Sequence, residues 1–165
     1  MMNKVKLTVS IFAFLLLSFS CFAQVSENVT ATNRAIIKQG FEDWENGVGN
    51  LFPIVADDVK WTIENYTEST EGFESNPIVY NSKEALLNSD LKTLYAKLEG
   101  IIKPKLIGIY ADGNTVIAHW QGTAMTKDGL PYINTYVWLM TMKDEKIVEL
   151  TAFLNMNVMN KLLNK

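Results

Sequence analysis

The sequence predicts an α+β domain in which N-terminal helices pack on one face of a curved, mostly antiparallel sheet. Three observations predict it. Apolar residues in the first half recur at helical spacing, whereas those after Leu106 alternate with the period of a strand. The alternating segments are joined by tight turns, which make consecutive strands antiparallel neighbours.

The first helix is expected over about residues 29–46. Ile37, Phe41, Trp44 and Val48 fall on one face, with Glu42, Asp43 and Glu45 between them, and Gly47 and Gly49 end it. A helical turn through Leu51-Phe52 leads to a strand at Val59–Glu64, in which Val59, Trp61 and Ile63 alternate. Residues 65–77 read as a polar loop. Asn81, with Glu84 three residues on, reads as the N-cap of a helix over 82–88, followed by another over 90–98 with Leu91, Leu94, Tyr95 and Leu98 on one face. Strands are expected at Leu106–Ala111, Thr115–Thr126, Pro131–Met142 and Ile147–Asn155. The turns between them are Asp112-Gly113-Asn114, Lys127-Asp128-Gly129 and Lys143-Asp144-Glu145-Lys146. A short helix over about 156–163 closes the chain.

The first 23 residues read as a cleavable secretory signal, leaving one domain over 24–165. Lys4 and Lys6 supply the positive start, Leu7 to Leu17 is apolar except for Thr8 and Ser10, and Cys21-Phe22-Ala23 puts small residues at −3 and −1 of a cut before Gln24. The apolar run is shorter than the roughly 20 residues of a transmembrane helix. A lipoprotein anchored through Cys21 is the alternative, but Ser18 stands where that signal takes leucine. The expectation is therefore a periplasmic or secreted protein, with no membrane association unless Cys21 is lipidated.

Cleavage removes the only cysteine, which excludes disulfides, thiolate metal sites and a cysteine nucleophile. Loss of Lys4 and Lys6 takes the net charge from −3 to −5. A mildly acidic domain with the single arginine Arg34 is a poor binder of phosphate backbones, so nucleic acid is not an expected partner.

Five segments carry a family resemblance: Phe41–Gly47, Ala56–Ile63, Tyr110–Val116, Asp128–Tyr136 and Lys146–Asn155. In this order and spacing they resemble the nuclear transport factor 2-like superfamily, in its SnoaL-like, ketosteroid-isomerase-related branch. The resemblance spans nearly all of the domain. It implies a cone-shaped fold with an apolar pocket at one end, commonly a homodimer, and, in its enzymes, acid–base chemistry without metal or organic cofactor. Fold alone does not fix activity, since the superfamily includes isomerases, cyclases and members without catalysis. The sequence departs from both acid–base patterns. The aspartate base of the isomerases falls at or next to Ile63, and the last-strand aspartate of the cyclases is replaced by Asn155. An amide hydrogen-bonds a ligand but moves no proton near neutral pH.

The candidate site follows from these readings. His119, the only histidine, is the candidate proton carrier, or else a strand residue facing solvent or a dimer partner. It shares a face with Ile117, Gln121, Thr123 and Met125, whereas Trp120 shares the other with Ala118, Gly122 and Ala124. Tyr132, Asn134, Tyr136 and Trp138 share a face that suits either a pocket or a dimer interface. Trp61, a periodic core aromatic, joins Asn134, Tyr136, Phe153 and Asn155 as the candidate ligand-binding set. Glu64, Glu68, Glu71 and Glu74 lack the spacing of a calcium loop and read as a solvated acidic loop. The functional expectation is a domain that binds a small, largely apolar molecule, with isomerase-, cyclase- or hydratase-like proton transfer if it is an enzyme. A non-catalytic binding or interaction module is the alternative, and a homodimer through the convex face of the sheet is expected.

Overall fold

The computed structural model describes residues 27–164. The signal-peptide reading lies outside these residues. Helix α1 covers 27–45 and the remaining elements run β1 (Val55–Ile63), β2 (Tyr66–Ser69), β3 (Gly72–Ser75), β4 (Ile78–Tyr80), α2 (Lys83–Leu87), α3 (Asp90–Lys97), β5 (Leu98–Asp112), β6 (Thr115–Thr126), β7 (Pro131–Lys143), β8 (Lys146–Leu154) and α4 (Met156–Leu163). A 3-10 turn at Phe52–Ile54 precedes β1.

Six strands form one mixed sheet in the order β4-β1-β8-β7-β6-β5. All neighbours are antiparallel except β1 and β8, which run parallel, Lys60 beside Glu149 and Ile63 beside Ala152. The α+β prediction holds. The period-two pattern is visible in burial: along β7, Tyr132, Asn134, Tyr136, Trp138, Met140 and Met142 are buried, and the residues between them are more exposed.

Helix α1 lies against the buried face because it offers Ile37, Phe41 and Trp44 to it. Phe41 packs on Trp120 and Trp138 with ring centroids 5.7 and 5.9 Å apart. Its near end is pinned by a polar exchange with the β5–β6 turn: Asn33 Nδ2 donates to the Gly113 carbonyl at 3.0 Å, and the Gly113 amide donates to Thr30 Oγ1 at 2.8 Å. Its far end stops at Gly47, whose φ of 72° is the left-handed conformation that glycine adopts without strain.

Strand β1 begins four residues earlier than expected, at Val55, the short strand β4 was not expected, and four further details differ. Val48 is 77% exposed because the helix has already ended at 45. The polar loop is in part a hairpin, β2 paired with β3, standing apart from the main sheet. The helix N-cap is Ser82, whose side chain accepts from the Ala85 amide, and not Asn81. Strand β5 begins eight residues earlier than expected, at Leu98. Pro104 and Gly100 argue against a strand there, but β5 is an edge strand with register shifts, and an edge tolerates a proline without losing a ladder bond that the fold needs.

Candidate functional site

Between the buried face of the sheet and the helices lies a cavity of about 330 Å³. That is within the size range of small-molecule sites. Its sheet wall comes from Trp61, Ile63, Trp120, Tyr136, Trp138 and Ala152. Its helical wall comes from Trp44 on α1, Leu86 on α2, and Leu91, Leu94 and Tyr95 on α3, with Met159 on α4. The segment from Gly49 to Phe52, Ile101 and Ile102 at the start of β5, and Val55, Tyr80, Ser89, Asp90, Ile147 and Leu154 complete it. All four tryptophans of the chain line this one space.

The rings brace one another. Trp120 stacks on Tyr136 at 4.0 Å with an interplanar angle of 8°. Trp138 meets Trp120 edge-on at 4.9 Å and 77°, and Trp61 edge-on at 5.2 Å and 81°. Gly122 makes room for this arrangement. A Cβ there would come within 2.8 Å of Ile102 Cγ2, 3.0 Å of Trp120 and 3.1 Å of Tyr136, all three of which line the cavity.

The site's polar content is small and mostly phenolic. Tyr132 and Tyr136 share a hydrogen bond, Oη to Oη at 2.7 Å. Asn134, 2% exposed, uses its whole amide. Oδ1 accepts from the amides of Thr135 at 2.9 Å and Asn155 at 3.1 Å, and Nδ2 donates to the Asn155 carbonyl at 3.1 Å and to Tyr132 Oη at 3.4 Å. With every donor and acceptor occupied, Asn134 is a clamp joining β7 to the β8–α4 junction. Burial pushes the Tyr95 hydroxyl up to about 12, with Tyr132 adding to the shift. Burial, then the charge and hydrogen bond of Tyr132, push Tyr136 far above the ordinary tyrosine range. Tyr95 and Tyr136, two of the three tyrosines in the wall, are therefore neutral at any physiological pH.

The raised Tyr95 value has a consequence for stability. Up to about pH 10 the group is protonated folded or unfolded. Above that, the unfolded chain gives up a proton that the folded one keeps until about 12, so stability is lost as pH rises through that window. Urea midpoints should fall between pH 9.5 and pH 11.5, and the fall should be shallower in Tyr95→Phe; equal slopes in both proteins would contradict the assignment.

The sequence-predicted site residues separate into two groups. Trp61 and Tyr136 line the cavity. His119 does not: its strand turns Val116, Ala118, Trp120 and Gly122 inward, so His119 lies on the outer face, in register with Gly108 and Val137. Phe153 is on that outer face too, 44% exposed and opposite Val137. Asn134 is buried among the cavity's supports without being part of its wall. Asn155 is exposed, and its side chain caps α4 by accepting from the Val158 amide at 3.3 Å. The face with Tyr132, Asn134, Tyr136 and Trp138 is the buried one, and of these Tyr136 and Trp138 line the cavity. Sequence reasoning did not find Leu86, Tyr95 and Ile102 as wall residues. Nothing local marks them, because they reach the cavity only through the way α2, α3 and β5 fold over the sheet. Among the described residues, no group of three or more His, Cys, Asp or Glu side chains is placed to hold a metal ion.

No family profile matches the sequence, and no curated protein does. Solved structures do match. A proposed SnoaL-like polyketide cyclase from Jannaschia sp. CCS1 aligns with TM-score 0.60 at 11% identity, over 83% of this chain and 95% of that one. An NTF2-like protein from Burkholderia thailandensis aligns with TM-score 0.59 at 14% identity, over 79% and 96%. IdmH, a proposed polyketide cyclase from Streptomyces antibioticus, aligns with TM-score 0.55 at 16% identity, over 81% and 99%. Helices over a curved, mixed sheet, a cavity between them, and near-complete coverage of these structures give one conclusion: the chain has the fold of the nuclear transport factor 2-like superfamily.

Proposed function

We propose that this protein is an exported domain that binds a small, largely apolar molecule in the cavity between helices and sheet. The observation that carries the reading is the wall itself: four tryptophans, three tyrosines and aliphatic side chains around about 330 Å³, with a single carboxylate, that of exposed Asp90. Binding is favoured over proton transfer. The wall carries no histidine, and its phenols Tyr95 and Tyr136 are held protonated. A neutral apolar fluorophore, N-phenyl-1-naphthylamine, tests this, because the lining tryptophans can transfer excitation to a bound probe. Saturable one-to-one enhancement is expected, and Leu154→Trp, which adds bulk at the wall, should abolish it. Enhancement that does not saturate, or that Leu154→Trp leaves unchanged, rejects the cavity as the site.

The protein is further proposed to be a homodimer through the outer face of the sheet. Ile107, Tyr110, Ile133, Leu139 and Phe153 are exposed there on neighbouring strands, with Ile117 and Val137 among them. Contiguous apolar surface of this kind is rare on monomers. Light scattering on exported protein should give twice the mass of a chain beginning at Gln24. A monomer at micromolar concentration removes the dimer, and a lipid-bearing mass beginning at Cys21 replaces secretion with a membrane anchor.

A further inference from the structure

We infer that the cavity's preferred ligand carries a tertiary or quaternary ammonium group, seated against the tryptophan cluster. The inference rests on the reading of the cavity as a ligand site and adds a charge to it. An aliphatic wall would suffice to hold an apolar molecule. This wall instead gathers every tryptophan in the chain, with Tyr80, Tyr95 and Tyr136. Tryptophan has the most negative ring face of the natural side chains, and alkylated ammonium groups are the cations that such faces hold best, because little hydration has to be stripped from them.

Ring orientation supports the same conclusion. Trp138 stands at 81° to Trp61 and 77° to Trp120, while Trp44 lies within 24° of parallel to Trp138 at 6.3 Å. Perpendicular contacts build a corner, and a group lodged in a corner meets more than one ring face. The rings themselves are in contact, so the cation sits on their cavity side and not between them.

The charge balance around the cavity also fits a cation. No lysine, arginine or histidine lines it, and the only ionic group in its wall is the carboxylate of Asp90 at the start of α3. Asp90 is exposed, so it attracts a cation toward the opening and pairs only weakly with it. The scarcity of hydrogen-bond acceptors in the wall disfavours a primary amine, whose three N–H donors would go unsatisfied against ring carbon, relative to an alkylated, weakly hydrated ammonium.

An isosteric pair tests the inference. Choline and 3,3-dimethyl-1-butanol have nearly the same shape and differ in one charge. Titration of the full protein, read by tryptophan fluorescence and by calorimetry, should show choline binding at least tenfold more tightly. Trp61→Leu should remove most of that preference while keeping affinity for the alcohol, and Asp90→Asn should weaken choline severalfold and leave the alcohol unchanged. Trp61→Phe, which keeps a ring face, should restore part of the preference and so separates ring electrostatics from loss of packing. If the alcohol binds as tightly as choline, the ammonium inference is wrong and the apolar-ligand reading stands. If neither binds while N-phenyl-1-naphthylamine does, the inference is again wrong and that reading survives. If no probe binds, both fail.

Discussion

Trp120→Ala should lower stability by about 3–5 kcal/mol, the range for emptying a buried large aromatic site. Trp120 is 1% exposed and touches Phe41, Trp44, Tyr136 and Trp138. Its removal takes the stacking partner from Tyr136 and opens the cavity into the space left behind, so the surroundings cannot collapse to refill it. Against a total stability of order 5–15 kcal/mol, this is a large fraction. Trp120→Phe should cost much less. It keeps most of the ring contacts, and it deletes the indole N–H, which is buried without a hydrogen-bond partner among the described residues. Denaturant unfolding of the three proteins checks the order. A loss below 1 kcal/mol for the alanine variant would show that the aromatic cluster is not what holds α1 to the sheet.

Asn134→Ala should cost about 3 kcal/mol, a fall in Tm of roughly 10 °C for a domain this size. The side chain occupies two backbone amides, one carbonyl and one phenol, and the alanine takes this partner from the part-buried amides and carbonyl while the phenol keeps its bond to Tyr136. Asn134→Asp discriminates further. Its carboxylate still accepts from the amides of Thr135 and Asn155, but the oxygen replacing Nδ2 faces the Asn155 carbonyl and must carry a proton to avoid repulsion. Burial and that carbonyl raise the carboxyl's folded pKa above its unfolded value near 3.9, so its stability contribution is present at low pH and lost as pH rises through the raised value. The aspartate variant should therefore approach wild-type stability near pH 4 and lose it toward pH 8, measured by thermal melts at both values. A pH-independent deficit would mean that Asn134 is not the clamp described.

These effects bear on what the sequence could show. Period-two alternation grouped Tyr132, Asn134, Tyr136 and Trp138 on one face and His119 with Gln121 on another, and both groupings hold. Which face is concave depends on where α1 lies, and that is a long-range choice made by Phe41 and Trp44 meeting Trp120 and Trp138. For that reason the sequence leaves His119 open between the pocket and the outer face, where it lies, and Phe153, expected at the ligand, lies on the outer face as well: only tertiary packing decides the direction of either. Asn155 is a different case. The family likeness found the right place, the end of the last strand, but the local signal of an asparagine directly before a helix correctly describes its job as a cap. Asn134 was picked for polarity on an aromatic face, yet its partners are backbone groups of β7 itself and of residue 155, which no pattern within its own strand can show.

The parallel pairing of β1 with β8 ties the order of synthesis to the order of folding. Strand β1 has only the three residues of β4 as an early neighbour, while its longer partner, β8, ends at Leu154, near the close of the chain. Closing a loop of that length costs entropy that is repaid only when the pairing forms. As the chain emerges from a ribosome, α1 and β1 are made first and wait longest. Their indoles, Trp44 and Trp61, have no sheet to cover them until the last hairpin arrives. Completion of the six-stranded sheet therefore waits on β8, and the segment from α1 to β1 is the stretch that a chaperone would have the longest opportunity to hold.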